Sequence, residues 1–298
     1  MATIATGSPR AAAARAVTWL FVPGDRPERF ERARASGADE VICDLEDAVA
    51  AGGKDAAREQ VCRWLANGGS GWVRVNAADT AWFGADVDTL ARAPGLRGVI
   101  VPKADDPSLM ERVRRSLGDT VGLVALVESA RGVVGAYGLA GSAAVDRLAF
   151  GSIDYAVDVD AAEDDESLLL ARLTLVLASR AATKPGPIDG ITRSLEDAEL
   201  IVAEARRSRR LGFTGKLCIH PAQLEPVSTA FAPTPREVAW AREVLDAVGG
   251  GDSGALAAAG QMVDKPVVER ARRIVERAAP RGPGILTDSA SATRQEGT

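Results

Sequence analysis

Eight short apolar runs along the chain each lead into a charged or metal-capable side chain. The runs read WLFVP (followed by Gly24-Asp25-Arg26), VICD, WVRVN, VIVPK, LVALVE, RLAFGSID, PGPID and KLCIH. Apolar runs of this kind are typical of parallel strands that are buried on both faces. Because the strands of a closed parallel barrel present their C-terminal ends at one mouth, the pattern predicts a (β/α)₈ TIM barrel with its functional site at that mouth.

The segments between these runs carry helix start and stop signals. The alternative of a doubly wound open sheet would place a glycine-rich phosphate loop after an early strand, and neither GxGxxG nor GxxxxGK occurs there. The strict alternation of strand and helix therefore favours the barrel. The predicted helices are Pro27–Ser36, Lys54–Ala66, Pro107–Leu117, Glu166–Ala182 and Leu195–Leu211.

The pattern also divides the chain into segments. Residues 1–15 and 281–298 are small, polar and aperiodic, so we expect a flexible N-terminal arm and a flexible tail. The barrel is predicted over residues 16–232. Residues 233–280 are surplus to it, and this C-terminal helical extension could cap the site or reach a neighbouring subunit. Its predicted elements are the helix Pro235–Val248, the linker GGGDSG and the helix Val263–Ala279.

Composition excludes several classes of function. A net charge of -5 and a pI near 5.2 argue against a nucleic-acid partner, which would require a basic surface. The chain has no signal-peptide pattern at its start and no apolar run of membrane-spanning length, so no membrane partner is expected. Cys43, Cys62 and Cys218 have no spacing that suggests pairing, which fits reduced thiols. We expect a soluble, cytoplasmic protein.

Glu128 and Asp154 are the strongest candidates for chemistry. Each follows a strongly apolar strand, where a carboxylate is costly unless it meets a cation. Two hard oxygen donors favour Mg²⁺ or Mn²⁺ over Zn²⁺. Mg²⁺ commonly binds one or two carboxylates together with water and substrate. In the structural alternative, Glu128 forms a salt bridge with Arg131 or Arg74 and Asp154 caps a turn.

Arg74 lies in the run WVRVN with apolar neighbours on both sides. A buried arginine is expensive without an anion, and its planar fork suits a substrate carboxylate or a developing enolate oxygen. The alternative is an ion pair with Glu46 or Asp47. These two acids follow the second strand, and could also hold metal-bound waters as a second shell around the ion.

Three further residues complete the candidates from the strand ends. Arg26 lies where FVPGDRPERF turns into a helix, whose free N–H groups could bind a phosphate or carboxylate of the substrate. Lys103 could bind a substrate anion or pair with one of the acids. His220 is the only histidine, and at a strand end before Pro221 it is predicted to be a hydrogen-bonded packing element and not the catalytic base.

Nine ordered segments, from about residue 18 to residue 277, resemble the HpcH/HpaI aldolase and citrate lyase β-subunit family in its CitE-like branch. The segments are LFVPGDRPERF, VICDLEDAV, WVRVN, GVIVPKADD, LVALVESARGV, LAFGSIDYAVDV, IDGIT, GFTGKLCIHPAQL and GQMVDKPVVERARRI.

The resemblance implies a (β/α)₈ barrel, usually a homotrimer, that acts on 3-hydroxyacyl thioesters of coenzyme A or of an acyl carrier protein with Mg²⁺. It implies that Glu128 and Asp154 bind the metal and that Arg74 faces the thioester or enolate oxygen. It further implies that Asp264, in QMVDKPVVERA, is the acid–base carboxylate contributed to an adjacent subunit's site. The sequence departs from the family after Asp154, where DVDA replaces a DLG-like element.

The activity that this resemblance implies is reversible Claisen-type cleavage of malyl-CoA or citramalyl-CoA to acetyl-CoA and a 2-oxo acid. Arg26 and Lys103 are expected to contribute to substrate binding alongside Arg74 and Glu128. The alternatives are a citrate lyase β subunit that acts on an acyl-carrier-protein thioester, a malate synthase, a malyl-CoA thioesterase, and a non-catalytic binder of CoA thioesters.

Overall fold

The structure is a computed structural model that describes residues 8–249, 256–258 and 261–279. The chain divides into two compact units, Met1–Ala230 and Phe231–Thr298. The predicted tail over residues 281–298 lies outside the described residues. Within the described part of the chain, no helix is both long enough and apolar enough to cross a membrane.

The first unit is a closed barrel of eight parallel strands in the order β1 to β8, and β8 pairs with β1 to close the ring. This confirms the predicted (β/α)₈ barrel. Each strand coincides with one of the eight apolar runs. The strands are β1 (Thr18–Pro23), β2 (Glu40–Asp44), β3 (Gly71–Arg74), β4 (Leu96–Val101), β5 (Gly122–Val127), β6 (Arg147–Phe150), β7 (Ile188–Asp189) and β8 (Gly215–Cys218).

The helices of this unit follow the predicted alternation, and two of them, α3 and α5, have the predicted bounds. The helix predicted from Leu195 begins at Ala198, because Asp197 caps it by accepting a hydrogen bond from Leu200 N at 2.9 Å. The helices are α1 (Pro9–Arg15), α2 (Phe30–Arg34, preceded by a 3₁₀ turn at Pro27–Arg29), α3 (Lys54–Ala66), α4 (Phe83–Leu90), α5 (Pro107–Leu117), α6 (Ala130–Val134), α7 (Ala136–Gly141), α8 (Ser152–Asp158), α9 (Leu169–Ala181), α10 (Ala198–Leu211) and α11 (Leu224–Phe231).

Helix α1 occupies part of the segment that was expected to be a flexible arm. It has Ser8 as its N-cap and Pro9 in its first turn, both of which favour a helix start. Arg147, the first residue of β6, donates from Nη1 to the carbonyl oxygens of Ala13 and Ala16, each at 2.8 Å. The expectation was therefore wrong for Pro9–Arg15, because a buried arginine ties this helix to the N-terminal end of the barrel.

The barrel interior is filled around two tryptophans. The rings of Trp19 and Trp72 lie edge to face with their centroids 4.9 Å apart, and both side chains are fully buried. The Trp72 ring lies against Gly98 of β4 and Gly122 of β5, where a Cβ atom would approach it to 2.2 Å and 2.3 Å. Glycine at these two positions therefore makes room for the indole.

The second unit contains α12 (Pro235–Gly249), α13 (Lys265–Ala278) and a two-stranded antiparallel hairpin of β9 (Leu256–Ala258) and β10 (Gln261–Val263). Both helices were predicted, but the hairpin was not. Most of the predicted linker GGGDSG lies outside the described residues. The helix predicted from Val263 begins at Lys265, because Val263 belongs to β10. The buried core of this unit consists of Ala241, Val244, Val263, Ala271 and Ile274.

We expect Gly98→Ala or Gly122→Ala to destabilise the barrel by about 1–3 kcal/mol, because the added methyl group overlaps the buried Trp72 ring. Denaturant unfolding of the purified variants measures this change. Gly84→Ala in α4 is the matched control, since no atom lies within 4 Å of the added carbon. Equal stability of the Gly98 and Gly84 variants would contradict the proposed packing.

Candidate active site

A cavity of about 440 Å³ opens at the C-terminal ends of the barrel strands. Five charged residues contribute to its lining, and we refer to them as the charged sector. They come from the ends of β2, β3, β5 and β6, which is where the apolar runs placed the predicted site. The charged sector consists of Asp44, Asp47, Arg74, Glu128 and Asp154.

Arg74 is held by a bidentate ion pair with Asp44. Its Nε donates to Asp44 Oδ1 at 2.7 Å and its Nη2 donates to Asp44 Oδ2 at 2.6 Å. The two residues are Cα partners in the register of β2 and β3, so the strands themselves bring them together. The guanidinium also lies 4.8 Å from the centre of the Phe21 ring. The carboxylates around the buried guanidinium raise the pKa of Arg74, so it is a permanent cation.

Glu46 and Asp47 lie beside the other edge of the guanidinium. Arg74 Nη1 is 2.9 Å from Glu46 Oε2 and 3.5 Å from Asp47 Oδ2, which is the ion pair that the sequence offered as the alternative role of Arg74. Glu46 Oε2 is buried and accepts no hydrogen bond, although it lies close to Arg74 Nη1. Burial and the neighbouring Asp47 and Asp44 carboxylates outweigh Arg74 and Lys103 and raise the pKa of Glu46 to about 7.

Glu128 follows β5 and is almost fully buried, with 3% of its surface exposed. Its Oε1 accepts a hydrogen bond from Lys103 N at 2.8 Å. A Cβ atom at Gly151 would lie 2.2 Å from its Oε2, so only glycine leaves space for this carboxylate. Burial, together with the charges of Glu46 and Asp154, raises the pKa of Glu128 to about 8.

Asp154 lies in the first turn of α8 and lines the same cavity as Glu128. None of the described residues forms an ion pair with it. Its mutual repulsion with Glu128 is the kind of charge arrangement that a divalent cation relieves. Mg²⁺ commonly binds one or two protein carboxylates and takes water and substrate oxygens as its other ligands. The donor set therefore fits this ion.

The structure places two predicted substrate-binding residues outside the cavity lining. Lys103 Nζ lies 3.3 Å from Glu46 Oε1, so it pairs with an acid of the site, one of its two predicted roles. Arg26 is exposed at the end of β1, and its nearest carboxylate is Asp25, at 3.8 Å. Contact of Arg26 or Lys103 with substrate stays a prediction.

His220 and Asp189 of the first unit lie outside the cavity lining, and Asp264 belongs to the second unit. His220 is exposed, and its Nδ1 accepts from Ala222 N at 3.2 Å as the cap of a short 3₁₀ turn, so it is hydrogen-bonded as predicted but does not pack in the interior. Asp189 is buried between β7 and the helices, where it binds Arg172 and Ser208. Asp264 belongs to the second unit, where its carboxylate caps α13 by accepting from Val267 N at 3.2 Å. The acid–base role of Asp264 stays a prediction.

Sequence reasoning missed two residues of the site. Asp44 was recognised as the end of a strand but was not assigned as the partner of Arg74. The signal was available, because the second apolar run ends in an aspartate, the third contains an arginine, and neighbouring strands of a barrel pair in register. Gly151 was missed because the need for a glycine becomes visible only when Glu128 Oε2 is placed beside it.

A pair of carboxylates, one of them buried, beside a fixed arginine at the mouth of a (β/α)₈ barrel is typical of metal-dependent enzymes of this fold. Residues 17–221 match the family described as HpcH/HpaI aldolase/citrate lyase. The chain belongs to this family and is a lyase.

Similar proteins agree with this assignment. The chain is 34% identical over 281 residues to a citrate lyase subunit beta from Leuconostoc mesenteroides subsp. cremoris, covering 87% of this chain and 92% of the relative. It is 33% identical over 233 residues to a (3S)-malyl-CoA thioesterase from Cereibacter sphaeroides, covering 76% and 81%. The CitE protein of Mycobacterium tuberculosis, solved with magnesium, acetoacetate and coenzyme A, superposes with a TM-score of 0.77 at 35% identity, covering 90% of this chain and 100% of that one.

The raised pKa of Glu128 predicts a pH-dependent response to Mg²⁺. The pKa is about 8 in the folded chain against an ordinary value of 4.5, so the folded chain retains a proton that the unfolded chain loses. The stability of the metal-free protein therefore falls as the pH rises through this interval, and stabilisation by Mg²⁺ grows because the ion binds the deprotonated carboxylate. We expect a larger Mg²⁺-induced rise in Tm at about pH 8.5 than at about pH 6.

Differential scanning calorimetry in EDTA and in Mg²⁺ measures this difference. In Glu128→Gln, which has no proton to release, the Mg²⁺-induced shift in Tm should be small at both pH values. The same shift in the wild type at both pH values would contradict the assignment of Glu128 as a buried, metal-binding carboxylate.

Proposed function

We propose that the protein is a Mg²⁺-dependent carbon–carbon lyase that cleaves a 3-hydroxyacyl-CoA thioester, such as malyl-CoA or citramalyl-CoA, to acetyl-CoA and a 2-oxo acid. The observation that carries the proposal is the cavity in which Glu128 and Asp154 share one mouth with an arginine that Asp44 holds in place. Family membership and the CoA and magnesium in the CitE structure support the cofactor and the carrier.

Glu128 and Asp154 would hold the ion, and the buried Oε2 of Glu46 could accept from a water bound to it. When bound, Mg²⁺ supplies a Lewis acid for the hydroxyl and carboxylate oxygens of the substrate. Transfer of the substrate's hydroxyl proton to water then turns the carbinol carbon into the carbonyl of a 2-oxo acid. The C–C bond breaks, and its electron pair becomes the enolate of the acetyl thioester.

Arg74 is suited to stabilise that enolate. A guanidinium carries five N–H groups, and the hydrogen bonds to Asp44 and Asp47 use three of them. The remaining N–H groups, on an arginine that Asp44 keeps from rotating, can donate to the enolate oxygen without further reorganisation. Asp264 would then protonate the enolate carbon to give acetyl-CoA, and would remove the same proton in the reverse direction.

Two related reactions remain candidates, because proteins similar to this chain are named for them. The Leuconostoc protein is a citrate lyase subunit beta, which supports an acyl-carrier-protein thioester as the alternative substrate. The Cereibacter proteins are malyl-CoA thioesterases, which supports hydrolysis of the thioester after or instead of C–C cleavage. Both would use the same metal site and the same arginine.

A substrate screen tests the proposed activity. The purified chain is incubated with malyl-, methylmalyl-, citramalyl- or citryl-CoA and Mg²⁺, and products are separated by liquid chromatography with mass detection. We expect acetyl-CoA, or propionyl-CoA from the methylmalyl thioester, with a stoichiometric 2-oxo acid. Free CoA without 2-oxo acid would indicate a thioesterase, and no turnover of any free CoA thioester would favour a carrier-protein substrate or a non-catalytic binder.

We expect Arg74→Ala to lower kcat by ~10²–10³, because it removes a donor to the developing oxyanion. The substitution also leaves Asp44 buried without its partner. Arg74→Lys therefore provides a second variant, which retains the positive charge but not the bidentate hydrogen bonds of a guanidinium. Steady-state kinetics measures kcat, and calorimetry measures Mg²⁺ binding. Arg131→Ala is the control, because this arginine is 80% exposed and does not line the cavity. A kcat near wild type in Arg74→Ala would exclude the proposed role.

The proposed role of Asp264 in a neighbouring subunit of a homotrimer predicts complementation between inactive variants. Asp264→Asn and Glu128→Gln each lack one half of a shared site, so mixed oligomers would contain some sites with both carboxylates intact. We expect activity to return when the two proteins are unfolded and refolded together. Refolding Arg74→Ala with Glu128→Gln is the control, since both substitutions lie in the same half-site. Without recovery above this control, Asp264 does not act across a subunit interface.

A further inference from the structure

The active-site cavity has a second sector whose chemistry differs from that of the charged sector. All lining residues contributed by β7, β8, β1 and the loops that follow these strands are apolar. We refer to these residues as the apolar sector, and they are Phe21, Pro23, Ile191, Leu217 and Ile219. In barrel order, β7, β8 and β1 are consecutive, and every charged lining residue comes from β2, β3, β5 or β6 and the segments after them. One side of the mouth is therefore wholly apolar, whereas the other side carries charged residues among apolar ones.

Ile191 and Ile219 form the part of this sector that lies in loops. Ile191 follows β7 and packs against the apolar interior of the barrel. Ile219 follows β8 and keeps 37% of its surface exposed, which is a large apolar surface for a residue beside a cavity. Exposed apolar surface next to a ligand site becomes favourable when a ligand covers it.

Gln223 holds both of these loops in position. Its side chain is 1% exposed and makes three hydrogen bonds. Oε1 accepts from Ile219 N, and Nε2 donates to the carbonyl oxygens of Thr192 and Ser194, each at 2.8 Å. One buried amide thus joins the loop after β8 to the loop after β7, on either side of the two isoleucines.

Charge decides what this sector can accept. The carbinol carbon of the proposed substrate carries a hydroxyl, a carboxylate, the CH₂ that leads to the thioester, and one further substituent. The first two require the metal and the thioester carbonyl requires Arg74, so the fourth substituent is left for the apolar sector. Among the described residues that line the cavity Arg74 is the only cation, and its N–H groups that do not bind Asp44 are assigned to the thioester oxygen. A carboxylate as the fourth substituent would be desolvated without a partner.

We propose that Ile191 and Ile219 form a specificity subsite that selects a small apolar substituent on the 2-oxo acid, and that Gln223 is the positioning residue of this subsite. This inference rests on the proposed lyase function. It assigns pyruvate-type 2-oxo acids to the site in preference to oxaloacetate, whose additional carboxylate would face the isoleucines, and in preference to glyoxylate, which leaves the apolar surface uncovered.

The condensation direction tests this subsite with simple reagents. Acetyl-CoA loses a methyl proton, the resulting enolate carbon attacks the keto carbon, and the keto oxygen takes up a proton, so no oxidant or reductant is required. The wild-type chain with Mg²⁺ and acetyl-CoA is offered glyoxylate, pyruvate, 2-oxobutyrate or oxaloacetate. We expect kcat/KM for pyruvate to exceed that for glyoxylate and for oxaloacetate by roughly tenfold or more, the discrimination expected for one methyl group or one uncompensated charge.

Ile219→Lys reverses the charge preference of the subsite without disturbing buried packing, because this position is already partly exposed. We expect the ratio of kcat/KM for oxaloacetate to that for pyruvate to rise by about tenfold, since the lysine supplies the missing cation. Val134→Lys is the matched control, because Val134 is 88% exposed and lies outside the cavity lining, so the ratio should not change. An unchanged ratio in Ile219→Lys would overturn the assignment of Ile219.

Gln223→Glu tests the positioning role. The substitution replaces the two N–H donors with an oxygen that faces the carbonyls of Thr192 and Ser194, so the loop carrying Ile191 is released. We expect KM for pyruvate to rise and the preference for pyruvate over glyoxylate to fall toward one, with kcat and calorimetric Mg²⁺ affinity little changed. Loss of kcat with an unchanged substrate preference would show that Gln223 is only structural.

The outcomes separate this inference from the function on which it rests. If no 2-oxo acid is condensed with acetyl-CoA, the proposed lyase function fails and the subsite fails with it. If oxaloacetate is condensed as efficiently as pyruvate, the lyase function stands and the apolar subsite alone is overturned. Discrimination against oxaloacetate that Ile219→Lys reverses would establish both.

Discussion

The ion pair between Asp44 and Arg74 is the interaction on which the site depends. It joins the ends of two neighbouring strands through two short hydrogen bonds in strand register. From it the contacts continue through Glu46 to Lys103, whose backbone N–H holds Glu128. A single charged pair thus fixes the relative placement of groups from β2, β3, β4 and β5. The barrel brings these groups near one another, and the ion pair determines which atoms face the cavity.

Each end of the barrel contains a buried arginine, and the two arginines have opposite pKa shifts. At the mouth, carboxylates surround Arg74 and raise its pKa. At the other end, Arg147 donates to carbonyl and hydroxyl oxygens, and burial, which the charge of Asp39 offsets only in part, lowers its pKa to about 9. The hydrogen bonds of this arginine hold structural elements together. The carboxylates around Arg74 outnumber its single positive charge, and the remaining negative charge can attract a divalent cation.

The sequence was sufficient to predict the barrel, because eight apolar runs separated by helix signals leave few other folds. It also identified Glu128, Asp154 and Arg74 as residues of one mouth, because strand ends converge in a parallel barrel. The partner of each charge was not predictable in the same way. Lys103 had two reasonable roles, and its pairing with Glu46 follows from side-chain reach across β3 rather than from spacing along the chain.

Features that depend on three-dimensional contact were missed altogether. The segment of helix α1 was expected to be a flexible arm because its small residues show no periodic pattern. Its anchor, Arg147, lies far along the chain. The hairpin of β9 and β10 is too short to give a periodic signal. Gln223 had no assigned role in the sequence, whereas its three hydrogen bonds join two loops beside the cavity. These contacts depend on loop geometry, which pattern alone does not contain.

The anchoring of α1 has a consequence for how the chain is made. This helix is synthesised before β6, yet Arg147, which binds its carbonyl oxygens, also requires Gly186 and Thr214 for its other hydrogen bonds. Strand β1 likewise lacks its second neighbour until β8 has been made. Helix α1 and β1 must therefore remain incompletely docked on the ribosome until Thr214 and β8 have emerged. Contacts that span such sequence distances make closure of the barrel a late event in folding. Until then the nascent sheet is open, and its unpaired strand edges are exposed to aggregation.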